Sequence, residues 1–284
     1  MSAKAGILRA SEDDIAYFAS RRWADDIGRR LYRHLGEHSE HGTWIFRDES
    51  TPVGIAFAHG NGESLYLSEL FVEGSFRGTG LGGALCAAAL GESADACALL
   101  DPMDFAAAVL AARHGLSLLE PVLRVAGRIP KEDALAALAF GAYRFRAAPI
   151  DPVRHRYAIG ALDRETRGYE RMADHELFAS IATGNALFLD DECVGYAYVW
   201  PDGRVGPLAV SSGAYATAVF AFALMTLAST YGASWCTAGV PGSNLRILNA
   251  AHAIGLRIDT ARYVAGRKES MDLTRYVGYH PLLF

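Results

Sequence analysis

Apolar residues gather in three extended runs in the first third of the chain, at residues 42–48, 52–59 and 64–72, each bounded by turn-forming residues. The links between them are short. The second link, His59-Gly60-Asn61-Gly62, has the composition of a hairpin turn, so the three runs predict an antiparallel meander. Before it the pattern predicts a strand at 5–10 and helices at 12–20 and 22–36. After it come a helix at 80–92, a strand at 96–101, a helix at 104–114 and a strand at 117–127. A breaker, Ile129-Pro130-Lys131-Glu132, then leads into a short helix at 133–140 and a new first strand within 143–150.

The same series recurs. Pro52-Val-Gly-Ile-Ala-Phe57 returns as Cys193-Val-Gly-Tyr-Ala-Tyr198, and Glu69-Leu-Phe-Val72 as Pro207-Leu-Ala-Val210. His114-Gly-Leu116 returns as Ile254-Gly-Leu256, and Val125-Ala-Gly-Arg128 is repeated identically as Val264-Ala-Gly-Arg267. All four matches keep their order, at offsets between 138 and 141 residues. The 284 residues therefore predict two domains of one α/β type, at 1–130 and 140–284, with no low-complexity tether.

The chemistry concentrates where the run ending at Val72 meets Arg77-Gly78-Thr79-Gly80-Leu81-Gly82-Gly83 and a helix. Glycines let backbone N–H groups turn toward an anion, and the helix N-terminus adds unpaired donors and partial positive charge. Arg77 adds a cation. The loop predicts a phosphate cradle. It also fits G-x-G-x-x-G, with Asp101 placed 18 residues after Gly83 as a ribose acid would be. Against a dinucleotide fold stand the residues 73–77 between Val72 and the first glycine, and the antiparallel reading of the runs upstream.

The loop instead resembles that of the Gcn5-related N-acetyltransferase (GNAT) family, whose signature of Arg or Gln, two residues, Gly, one residue, and Gly or Ala falls on Arg77, Gly80 and Gly82. Val72 and Phe76 match its strand end and its aromatic, whereas Gly74 stands where proline is common. The resemblance implies two tandem acyl-CoA N-acyltransferase folds, α/β with a mixed sheet. It also implies that Leu70, Phe71 and Val72 offer backbone to the pantetheine arm of acetyl-CoA, at a point where their strand splays from its neighbour. Arg77, Gly78, Thr79, Gly80, Leu81, Gly82 and Gly83 would bind the pyrophosphate. The family's helix asparagine corresponds to Asp104 here and to Asn244 in the second copy. A constant offset of 138 puts Tyr215, Ala216, Ala218, Phe220 and Ala221 where the first copy has Arg77, Gly78, Gly80, Gly82 and Gly83, so the second copy is expected to lack the cradle.

Acetyl transfer to an amine needs a base and an oxyanion donor. The resemblance points to the amide of Leu70 or Phe71 as the donor, and to Glu69, Tyr66 and Ser68 as catalytic candidates. By alternation Leu65, Leu67, Glu69 and Phe71 share one face of the strand, while Tyr66, Ser68, Leu70 and Val72 share the other. Ala111 occupies the position where the family often carries a tyrosine as leaving-group acid. In the second copy, Asp163, Arg171, Asp174 and His175 admit two readings: the lining of a substrate pocket, or an exposed amphipathic helix with a capping aspartate.

Composition narrows the rest. The chain is 51% apolar and 21% charged with net charge −5, and it carries no basic run, which argues against a nucleic-acid partner. Met1-Ser-Ala-Lys4 lacks the apolar core of a signal peptide, which predicts a cytoplasmic location. The apolar stretch 214–228 is short for a bilayer and reads as a buried helix. Cys86, Cys97, Cys193 and Cys236 sit in apolar runs as reduced core residues, and His34, His38 and His41 are not read as a metal site. The expectation is an N-acetyltransferase moving an acetyl group from acetyl-CoA directly to a primary amine of a small molecule, as a monomer (a pseudo-dimer by its repeat) or a homodimer. The alternatives are a non-catalytic acyl-CoA sensor and, more remotely, a dinucleotide-binding protein.

Overall fold

In the computed structural model, residues 6–61, 64–140, 143–267 and 271–284 are described. The His59–Gly62 turn falls partly outside them. Two compact units emerge, one formed by residues 1–119, 264–269 and 281–283, the other by 120–263, 270–280 and 284.

The first unit runs β1 (Ile7–Arg9), α1 (Glu12–Arg22), α2 (Asp26–Glu37), β2 (Trp44–Asp48), β3 (Thr51–Gly60), β4 (Ser64–Val72), α3 (Leu81–Leu90), β5 (Asp95–Leu100) and α4 (Phe105–Arg113). Ser11 opens α1 with a capping box, accepting from the Asp14 N–H while Asp14 accepts from the Ser11 N–H, and the Asp25 side chain caps α2. Strands β1 to β4 form the expected antiparallel meander, and β4 pairs with β5 in parallel. Leu81, Leu85, Ala89 and Leu90 of α3 pack on Ala56, Ala58, Leu65, Ala96 and Ala98 of the sheet.

The second unit contains most of β6 (Ser117–Arg128), then α5 (Glu132–Phe140), β7 (Arg146–Pro149), α6 (Arg156–Arg167), α7 (Met172–Ile181), β8 (Thr183–Leu189), β9 (Glu192–Val199) and β10 (Arg204–Val210). It continues through α8 (Gly213–Tyr231), β11 (Trp235–Pro241), α9 (Leu245–Ala253), the start of β12 (Arg257–Gly266) and β13 (Tyr276–Val277). Its strands lie in the order β7-β8-β9-β10-β11-β6, so it repeats the first unit's sequence of elements.

The units follow an exchange of last strands rather than the repeat boundaries near 130 and 140. Strand β6, which closes the first copy in sequence, lies antiparallel to β11, with Val125 opposite Ala238 and Arg128 opposite Trp235. The end of β12 belongs to the first unit, where it neighbours β5 and the Arg267 N–H donates to the Ala96 carbonyl at 2.9 Å. The identical Val-Ala-Gly-Arg segments thus fill the same role reciprocally, each beside the other copy's strand. In the second unit a Cβ on Gly127 would come within 2.8 Å of Leu256, which explains the small residue there. In the first, Arg267 donates to the carbonyls of His114 at the end of α4 and of Ser93.

By length and composition α8 could cross a bilayer, and at 19 residues it is longer than the apolar run suggested. It packs instead: Ala216, Val219, Phe220, Leu224 and Leu227 are buried against β9, β10 and α5. Cys86, Cys97 and Cys236 are buried as expected, while Cys193 is half-buried. His34 and His38 stack at 4.4 Å at the end of α2, and no three potential ligands converge on a metal site among the described residues. Leu224→Ala is expected to lower stability by about 2–5 kcal/mol, measured as a shift in the denaturant midpoint, because it opens a cavity where a fully buried side chain of α8 packs.

Candidate functional site

Strand β4 departs from regular pairing in two ways. Its parallel pairing with β5 covers only Ser64–Leu67 opposite Asp95–Ala98, although β4 continues to Val72. From Ser68 onward its edge on that side has no strand partner among the described residues. On the other side, Glu69 lies opposite Phe57 and Leu67 opposite Ala58, so Ser68 is the extra residue of a bulge.

That bulge resets the alternation along the strand and corrects the facing expected from sequence. Leu65, Leu67, Leu70 and Val72 all join the core beneath α3. Glu69 and Phe71 turn to the opposite face, toward α1 and α2, where Phe71 meets Phe18 at 5.8 Å between ring centroids. Tyr66, flanked by Leu65 and Leu67, shares that face. The sequence rule of strict alternation failed because one inserted residue shifts every later side chain.

Glu69 is buried and accepts from the Arg22 Nε at 3.3 Å and the Leu70 N–H at 3.1 Å. Burial raises its carboxyl above the ordinary range, opposed by the Arg22 charge and the Leu70 amide. Tyr32 of α2 is fully buried with its hydroxyl unbonded; burial and the Glu69 charge push that phenol well up. Neither Arg22 nor Tyr32 was singled out from sequence, where both sit on an ordinary amphipathic helical stretch. Tyr66 donates its hydroxyl to the Pro281 carbonyl, and the Ser68 hydroxyl turns back to the Tyr66 carbonyl at 3.4 Å.

Past Val72 the chain makes a 3-10 turn at Gly74–Phe76 and an exposed bend through Arg77, Gly78, Thr79 and Gly80 into α3. Gly78 and Gly80 have φ of +80° and +89°, backbone that L side chains avoid, and open space surrounds both. Gly80 caps α3 without a side chain to occupy the first-turn amides, which stay available to an anion. The Arg77 Nε reaches back to the Val72 carbonyl at 3.2 Å, holding its cation beside the strand end. Asp104 caps α4, accepting from the Ala107 N–H at 2.9 Å, and Ala111 is buried in the same helix.

An open strand edge, a bulge beside it and a glycine cradle at a helix start lie together in the first unit, and residues 9–114 match the model of the acetyltransferase (GNAT) family. Those residues form a GNAT domain. Among solved structures, a proposed acetyltransferase of Pyrococcus horikoshii superposes with a TM-score of 0.72 at 14% identity, covering 98% of this chain and 95% of its own. A tandem GNAT protein from the clavulanic acid biosynthesis pathway gives 0.58 at 16% identity, covering 92% and 97%. A Sphaerobacter thermophilus GNAT gives 0.56 at 14%, covering 93% and 95%. These likenesses establish a tandem GNAT fold along the chain. No curated protein sequence matches it. With β4 antiparallel to β3, this is not the parallel fold on which the dinucleotide alternative rests.

The second unit lacks the cradle for a different reason than the constant offset implied. Only Ser211 and Ser212 separate β10 from α8, whereas residues 73–80 separate β4 from α3. The loop is missing outright, and Tyr215, Ala216, Ala218, Phe220 and Ala221 lie within α8 itself. The exposed-helix reading of the 163–175 segment is also corrected. Asp163, Asp174 and His175 are 0% exposed and Arg171 2%. Asp163 accepts from Tyr196, from the Arg171 N–H at 3.3 Å and pairs with His175 Nε2 at 2.9 Å; His175 Nδ1 lies 3.0 Å from the Tyr198 hydroxyl. Arg171 pairs with Asp174 at 3.2 Å and donates to the Tyr276 hydroxyl at 2.9 Å. Asp163→Ala is expected to cost about 3–5 kcal/mol by urea unfolding, since it strands buried donors and leaves Arg171 less compensated.

Proposed function

We propose that the first unit moves an acetyl group from acetyl-CoA directly to a primary amine of a small molecule. The observation that carries this reading is the open β4 edge running into the exposed Gly78–Gly80 bend, with a buried carboxylate, Glu69, beside it. The cradle fits a pyrophosphate: amides at the start of α3, glycines in open space and Arg77 at the rim. The unpaired edge of residues 68–72 suits an extended pantetheine arm.

Glu69 takes the proton of the incoming ammonium, directly or through water, and its raised proton affinity brings it closer to neutral pH, where a base works best. The amine nitrogen bonds to the thioester carbonyl carbon and the C–S bond breaks. The Leu70 amide, now donating to Glu69, can turn to the carbonyl oxygen as charge develops there. Ala111 offers no proton, so the sulfur departs as thiolate and takes up, through water, the second proton that the nitrogen sheds on becoming an amide. The absence of that acid is also what favours the second reading, an acyl-CoA sensor.

Titration is expected to show one coenzyme A per chain and no NAD binding. Gly80→Val should weaken coenzyme A at least about ten-fold, because a β-branched residue resists the +89° φ that aims the loop. Glu69→Gln should lower kcat by about 10²–10⁴-fold with coenzyme A affinity unchanged. The acidic limb of kcat/KM, where protonation of Glu69 removes the base, should lie above the ordinary carboxylate range. Arg22→Ala should move it to still higher pH, because the lost cation is what favours the ionised carboxylate. An acceptor screen showing no thiol release beyond hydrolysis, with Glu69→Gln silent, would establish the sensor in place of the enzyme.

A further inference from the structure

The second unit has the same strand gap as the first, but it is filled. Strands β10 and β11 pair in parallel only at Arg204–Val205 opposite Thr237–Ala238. Beyond that, β13 lies antiparallel to β10, with Val277 opposite Leu208 and Tyr276 opposite Ala209. On the β11 side the Gly278 N–H donates to the Gly239 carbonyl at 2.9 Å. The chain's own residues 276–278 therefore lie in the fork where the two strands part.

We propose that this fork is a docking site for an extended polypeptide strand, held by residues 276–278, in the place where a GNAT unit would lay an acyl-pantetheine arm. Most of the contacts read backbone. Asn244, at the position expected to serve a coenzyme, donates its side-chain amide to the Tyr276 carbonyl at 3.0 Å while its oxygen caps α9 through the Ile247 N–H at 3.2 Å. Close approach is built in: a Cβ on Gly206 would come within 2.6 Å of the Gly278 carbonyl oxygen, and one on Gly239 within 3.4 Å. Glycine at these two positions lets another main chain approach closely. One side chain is read as well, since the buried Arg171 grips the Tyr276 hydroxyl at 2.9 Å and anchors it to the Asp163–His175 network. The two-residue link from β10 to α8 has no counterpart of the loop at residues 73–80. The proposal is independent of the reading of the first unit.

Hydrogen exchange on the full chain tests it. The Gly278 amide should be protected, and Asn244→Asp, which keeps the cap on α9 but removes the donor, should speed its exchange about ten-fold while the amides of α8 stay unchanged. Saturating coenzyme A should leave the Gly278 amide unaffected. In a chain with residues 276–278 replaced by Gly-Ser-Gly, a synthetic peptide copying residues 273–284 should bind saturably, and it should not bind the unaltered chain. If that replacement fails to fold, the exchange of the Asn244→Asp chain decides alone. Faster exchange on adding coenzyme A, an Asn244→Asp chain indistinguishable from the original, or a folded replacement that ignores the peptide would each overturn the proposal.

Discussion

Where two parallel strands part, the backbone N–H and C=O groups along the parting lose their partners, and something must replace them. Both units of this protein are organised around that requirement. In the first, β4 leaves β5 after Leu67 and keeps an open edge up to Val72, next to a loop of exposed amides. In the second, β10 leaves β11 after Val205, and residues 276–278 close the fork with ladder bonds of their own. In the first unit the edge beyond Leu67 has no strand partner among the described residues; in the second it is paired from within.

The bulge at Ser68 decides which side chains stand beside that edge. It turns Glu69 away from the core beneath α3 and toward Arg22 and Tyr32, into a place buried enough to raise its proton affinity yet held by one cation and one amide. The second unit handles buried charge differently. Its Asp163, Arg171 and Asp174 sit with His175, Tyr196, Tyr198 and Tyr276 in a closed interior. A buried network of that kind is costly unless each member is bonded. Here it fixes α6, α7 and β13 together, which is a structural use of residues that could equally have lined a pocket.

Much of this was legible in the chain. The meander, the helix starts and the cradle at Arg77–Gly83 follow from local rules, because glycine torsions and capping side chains act within a few residues of themselves. The repeat showed that one fold occurs twice. It did not show that the last strands are exchanged, since Val125–Arg128 and Val264–Arg267 are identical and suit either neighbour equally. The facing of Glu69 was misjudged because the bulge depends on how β4 registers with β3. The missing loop in the second copy was placed a few residues off, because a fixed offset cannot see a deletion compensated by a longer helix.

The sequence by itself determined the tandem α/β fold, the glycine-rich loop of the first copy and the lack of one in the second, all properties of contiguous residues. Only the tertiary structure decided which strand completes each sheet, which side of β4 carries Glu69, and what occupies the second fork. Each of those depends on hydrogen-bond partners distant in sequence, such as Tyr276 on Ala209 and Asn244, and local pattern does not encode such pairings.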